Sequence, residues 1–178
     1  MIPKMRARGM SESNINRDKK TLTYKEYLKD KYTNLVLLVR EMEKTIGKTK
    51  AHEIVEKTFY KDMYDSVTEE LEELGPVNEF ADFVRIEKEE NESIDFRNTV
   101  TIKYVIDTDS MLGLHITECL DAEVFKELGA EDIGYLVVCN PDHAYAKACN
   151  PCVKLRRTKT LMQGDEYCDH VWYWEEKE

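Results

Sequence analysis

Five cysteines carry the first chemical signal in this 178-residue chain: Cys119, Cys139, Cys149, Cys152 and Cys168, all in its last third. An odd number cannot complete a set of disulfides. The opening MIPKMRARGM is basic and lacks the apolar stretch of a signal-peptide core, so the expected compartment is a reducing cytoplasm. Thiols there are free, metal-bound or catalytic, beside the plain alternative that Cys is a small hydrophobe often found buried.

Four groups have spacings that could do chemistry. Cys119 falls between an expected strand and an expected helix, where the helix dipole favours a thiolate and suits a nucleophile. His115, four residues earlier, shares its side in either a strand or a helical turn. The alternative is a buried thiol at a junction. Cys139 and Asp142 flank the turn CNPD, which could aim a thiol and a carboxylate at one pocket, with His143 as a proton carrier. Taken alone, Asp142 also reads as a carboxylate in the first turn of a helix. Cys149 and Cys152, followed by Cys168 and His170, spell C-x2-C-x15-C-x-H, the four N or S ligands a structural zinc needs. A thioredoxin-like pair fits less well, because the flanking order is helix then strand. The cofactor expectation is therefore zinc or none. Arg157 lies with Arg156 and Lys159 on an expected strand, where its fork matches a carboxylate; a cross-strand acidic partner is the other use.

The elements that position these groups follow from periodicity. Tyr24, Leu28, Tyr32, Leu35, Val39, Met42 and Ile46 recur at helical spacing behind a Thr23/Glu26 capping box, and Gly47 stops the run. Val55, Phe59, Met63, Val67 and Leu71 repeat the logic up to Gly75 and Pro76, with His52 read as a surface residue. This amphipathic pair either packs on the chain's own sheet or joins two copies into a homo-oligomer. Residues 76–97 form a short helix or an irregular crossover, and the run EKEENE reads as a solvated face. Alternation then marks a strand over residues 99–106, the turn DTDSMLG, and an antiparallel return over residues 114–118. LDAEVFKELG is a helix, GYLVVC an apolar segment, residues 142–148 a short helix, and VKLRRTKTL and CDHVWYW the last two strands. Cys168, His170, Trp172 and Trp174 share one face of the final strand.

The expected architecture is α+β: a mostly antiparallel sheet of about four strands packed against helices. A flexible basic arm over residues 1–20 precedes a single domain over 21–178, helical to residue 97 and then sheet and cysteines. Six basic and two acidic side chains give the arm +4, leaving −14 of the total −10 for the rest. That balance disfavours nucleic acid as a partner, and no apolar run is long enough to cross a membrane, which leaves a small molecule.

The ordered combination of ECLDAEVFKELGAEDIGYLVVCNPD, Asn150-Pro151 and RTKTLMQGDEYCDHVWYW resembles the L-2-amino-thiazoline-4-carboxylic acid hydrolase family. The family pattern falls on Cys119, Cys139, Asp142, Arg157, Thr158, Gly164, Asp165, Cys168 and Asp169. Leu120 stands where members commonly have Pro, His170 where they have an aromatic, and Cys149 and Cys152 lie outside the pattern. The resemblance implies hydrolytic opening of a cyclic isothiourea, with Cys119 as nucleophile and Asp142 as base or amidinium partner. Arg157 would anchor the substrate carboxylate beside His115 and Thr158, while Cys139 and Cys168 shape the pocket or bind metal. The ending GDxxC is also similar to vinyl-reductase-like small-molecule-binding domains, which implies a non-enzymatic ligand or zinc module instead.

Overall fold

The computed structural model of the chain describes residues 22–176, so the expected basic arm lies outside the described residues. Helix α1 (Tyr24–Ile46) opens on the expected capping box: Glu26 N–H donates to the Thr23 side chain, and Thr23 N–H donates to the Glu26 carboxylate at 2.8 Å. Gly47 ends it, and α2 (Lys48–Leu74) follows at once. Residues 76–97 take the helical alternative, as α3 (Phe80–Asn91) and α4 (Ile94–Arg97), because the Asp82 carboxylate accepts from the N–H groups of Asn78 and Glu79.

The run EKEENE is not wholly solvated. Glu87 and Asn91 follow Phe83 at steps of four on the inward stripe of α3, and both are buried.

Strands β1 (Val100–Asp107) and β2 (Met111–Cys119) form a hairpin tighter than the expected seven-residue turn. Thr108 N–H donates to the Met111 carbonyl and Met111 N–H to the Thr108 hydroxyl, which closes the chain early and brings Met111 to Gly113 into the strand. Then come α5 (Leu120–Glu127), α6 (Glu131–Gly134), a π-helical turn (Tyr135–Cys139), α7 (Asp142–Cys149), β3 (Val153–Arg156), a 3-10 turn (Leu161–Gln163) and β4 (Cys168–Trp174). The apolar GYLVVC segment is thus helical. Its Gly134 is required by close packing: a Cβ there would stand 2.6 Å from both Met162 Sδ and Phe125 Cγ. β3 stops at Arg156, so Arg157 and Lys159 leave the expected strand and enter a loop.

The sheet order is β1-β2-β4-β3, antiparallel throughout, and the fold is α+β. One apolar core gathers Leu28, Val39, Val55, Phe125 and Ile133 among the helices; a second gathers Phe83, Leu112, Leu114, Val153 and Trp172 between helices and sheet. Cys119 packs against both, at the seam. No helix among the described residues is long and apolar enough to cross a membrane.

Candidate functional site

The site is built where β2 gives way to α5. Ile102 pairs with Ile116 and Thr101 with Glu118, so β2 carries a bulge at Thr117, and Thr117 and Glu118 both lie exposed. One extra residue reverses the alternation beyond it. Leu112, Leu114 and Ile116 face the sheet core; Cys119 joins that side, while His115 stays on the other, stacked on Tyr167 with ring centroids 4.1 Å apart. The expected shared side for His115 and Cys119 is therefore lost, and His115 is not part of the thiol cluster.

On the inner side three thiols from distant elements converge. Cys119, Cys139 and Cys168 lie close enough to sense one another's charge, and Cys139 senses both Asp142 and Arg157. Arg157 is the centre of the group, with its side chain only 3% exposed. Its Nη1 donates to Asp142 Oδ2 and lies 3.3 Å from His170 Nε2; its Nη2 donates to the Cys139 carbonyl at 2.9 Å, and the guanidinium lies 5.7 Å from the centroid of the Tyr135 ring. Both terminal nitrogens of the fork are thus engaged, and what the group presents outward is Asp142, whose side chain is 29% exposed. Tyr135 carried no signal in the sequence beyond its place in an apolar run.

Burial sets the protonation of the cluster. It pushes the Cys119 thiol up to about 12, reinforced by the neighbouring Asp121 carboxylate and opposed by the Ala122 N–H that donates to its sulfur. The expected helix N-terminus is present, since Cys119 is the N-cap of α5, but the loss of hydration outweighs the dipole and the group stays a thiol. Cys139 and Cys168 are raised by burial likewise. Burial lowers His170 to about 4, so a neutral imidazole accepts from Arg157 through Nε2 and carries its proton on Nδ1.

The rest of the family pattern serves the backbone. Asp169 accepts from Thr158 N–H at 2.8 Å, from the Thr158 hydroxyl at 2.6 Å and from Lys159 N–H, which pins the loop carrying Arg157. Thr158 thus has its hydroxyl committed to Asp169 and not to a pocket. Asp165 accepts from Thr160 N–H, and Gly164 adopts φ +98, a left-handed turn that favours glycine.

The cysteine-histidine set expected for zinc is dispersed. Cys152 accepts, through its carbonyl, from Glu175 N–H, just past the far end of β4; Cys168 begins that strand seven residues earlier, roughly 23 Å away at strand rise. Cys149 is buried at the end of α7 near Glu87, and Asn150 uses its side chain to close the CNPC turn onto Cys152 N–H and the Val77 carbonyl. Among the described residues the three groups that do gather at metal-ligand distance are Glu43, His52 and Asp132. His52 is therefore no plain surface residue: its Nε2 lies 2.7 Å from Glu43. Arg40 bonds both carboxylates and Lys48 bonds Asp132, so the cluster is a clasp of ion pairs joining α1, α2 and α6.

Comparison with known proteins places this arrangement. The family model for L-2-amino-thiazoline-4-carboxylic acid hydrolase matches residues 28–172, most of the chain. The chain belongs to the L-2-amino-thiazoline-4-carboxylic acid hydrolase family. No curated protein sequence matches it. Among solved structures, this family member resembles the phenol-responsive sensory domain of the transcription activator PoxR, with a TM-score of 0.51 at 10% identity over 79% of this chain and 73% of that one. A trafficking protein particle complex subunit 3 from Naegleria fowleri, covalently bound to palmitic acid, matches at a TM-score of 0.48 and 12% identity, over 83% of this chain and 97% of that one. The likeness to the sensory domain is one of fold.

Proposed function

We propose that the chain hydrolyses the ring of a cyclic isothiourea or related amidine-like small molecule, with Asp142 as the base and Arg157 as the residue that positions it. The observation that carries this reading is the Arg157 fork, closed on Asp142 and the Cys139 carbonyl, which leaves the carboxylate as the outward-facing charge of the cluster. Family membership supports a hydrolase-like reaction. A carboxylate so placed can face an amidinium and take a proton from water as the water adds to the amidine carbon. The ring C–S bond then breaks, and the departing thiolate takes that proton back. Because Cys119 is held as a thiol by burial, we assign the attack to water and give Cys119 and Cys139 a packing role.

The direct test is release of free thiol from L-2-amino-thiazoline-4-carboxylate by the purified protein. Wild type and Cys119→Ser should both release it, at rates within about tenfold; loss of all activity in Cys119→Ser would return the attack to the thiol. A second reading, a small-molecule-binding module, is favoured by the fold likeness to a phenol-responsive sensory domain. It predicts binding of the thiazoline without any thiol release.

A further inference from the structure

A surface hollow of about 360 Å³ has His143, the chain neighbour of Asp142, in its wall, and no cysteine. Its lining includes Tyr60 of α2, His143 and Lys147 of α7, Lys154 and Leu155 of β3, and Tyr173 of β4. Lys154 and Tyr173 are cross-strand partners on the edge pair of the sheet, so an ammonium and a ring stand side by side. The volume lies at the lower end of the range for small-molecule sites, and the wall mixes apolar with polar groups. The charge is the informative part. In a chain of net −10, the charged groups lining this hollow are the two lysines. Lys147 makes no ion pair among the described residues, and Lys154 has only the exposed Glu175 carboxylate at 3.7 Å, a weak competitor. His143 connects the hollow to the proposed base: it lines the wall, follows Asp142 in the chain, and senses the charges of both Asp142 and Arg157. Burial and the guanidinium lower its affinity for a proton, which leaves it a neutral hydrogen-bonding group.

We propose that this hollow holds the carboxylate of a small ring-bearing acid, with Lys147 and Lys154 as counter-charges and the tyrosines against the ring. The assignment rests on the hydrolase reading for the identity of the acid, and it moves the carboxylate anchor away from Arg157, whose two terminal nitrogens already donate to Asp142 and the Cys139 carbonyl.

Calorimetric titration of the full chain tests it with three probes: L-2-amino-thiazoline-4-carboxylate, 2-aminothiazoline, which lacks the carboxylate, and pyridine-2-carboxylate. The proteins are wild type and Lys147→Met/Lys154→Met, which keeps the stems and removes the charges, with folding checked by circular dichroism. The double variant should bind the thiazoline acid at least about tenfold more weakly, the weight of one charge-assisted hydrogen bond, and bind 2-aminothiazoline as wild type does. Equal binding of the acid by both proteins overturns the anchor while leaving the role of Asp142 standing. If wild type does not bind the thiazoline acid, the hydrolase substrate is wrong; binding of pyridine-2-carboxylate that the double variant loses then still supports the hollow, and failure of both acids to bind overturns it.

Discussion

Two carboxyl groups on the inner side of the sheet are treated in opposite ways. Asp142 faces the Arg157 guanidinium and remains open to solvent, whereas Glu87 is 7% exposed and makes no ion pair among the described residues. Glu87 has Asn91 at 3.5 Å with Tyr145 and Cys149 nearby, and burial pushes its carboxyl up to about 7. The contrast separates a group kept for chemistry from one folded into the core. A fixed cation costs desolvation, and here it stands beside the carboxylate that is open to solvent. In the interior a proton serves Glu87 instead.

The largest effect that would sharpen this contrast is removal of the cation. Arg157→Met leaves the Asp142 carboxylate and the Cys139 carbonyl without their donors and should lower the unfolding free energy by about 3–5 kcal/mol in urea titration. A loss under 1 kcal/mol, roughly that of a surface pair, would erase the distinction between the two regions.

Glu87 should behave in the reverse sense. Its folded carboxyl titrates near 7 and an unfolded one near 4.5, so between those values the native state holds a proton that the unfolded state has released. Stability from this group is then complete below pH 4.5 and falls as pH rises to 7, by about 3 kcal/mol. Glu87→Gln should flatten that arm and be the more stable protein at pH 8. His170 slopes the other way: with its folded value near 4, it contributes stability above pH 6.5 that is lost as pH falls toward 4. The wild-type minus Glu87→Gln difference curve isolates the carboxyl, and a flat difference would show that Glu87 is not the buried acid described.

A smaller effect belongs to the opposite face of β4. Asp169→Ala removes three hydrogen bonds from a partly exposed loop and should cost about 2 kcal/mol in the same urea titration. It should also raise amide exchange at Thr158 and Lys159. Unchanged exchange there would mean that the loop holds Arg157 in place without the Asp169 staple.

Local patterns carried the fold well. The capping box at Thr23 and the helical spacing behind it, the alternation in β1 and the short turns all involve neighbours in sequence, and the α+β sheet follows from them. Four things needed the three-dimensional structure. The bulge at Thr117 reverses the side of Cys119 relative to His115, and no residue type there announces it. Glu87 hides within EKEENE because its burial is decided by the phase set by Phe83, four residues earlier. The family pattern named positions without roles: Cys119, Cys139, Asp142, Arg157 and Cys168 meet on the inner side, while Thr158, Asp165 and Asp169 hold the loop backbone. The CNPC spacing looked like a metal knuckle, yet the sheet register sends Cys152 and Cys168 to opposite ends of β4.

In the proposed reaction the carboxylate held by Arg157 acts on the substrate. This role is tested most directly by kcat for thiol release from L-2-amino-thiazoline-4-carboxylate, measured for wild type and Asp142→Asn at equal folded fraction. Asp142→Asn should lower kcat by about 10²–10⁴, the range general base catalysis contributes. A variant that turns over within about threefold of wild type would contradict this role.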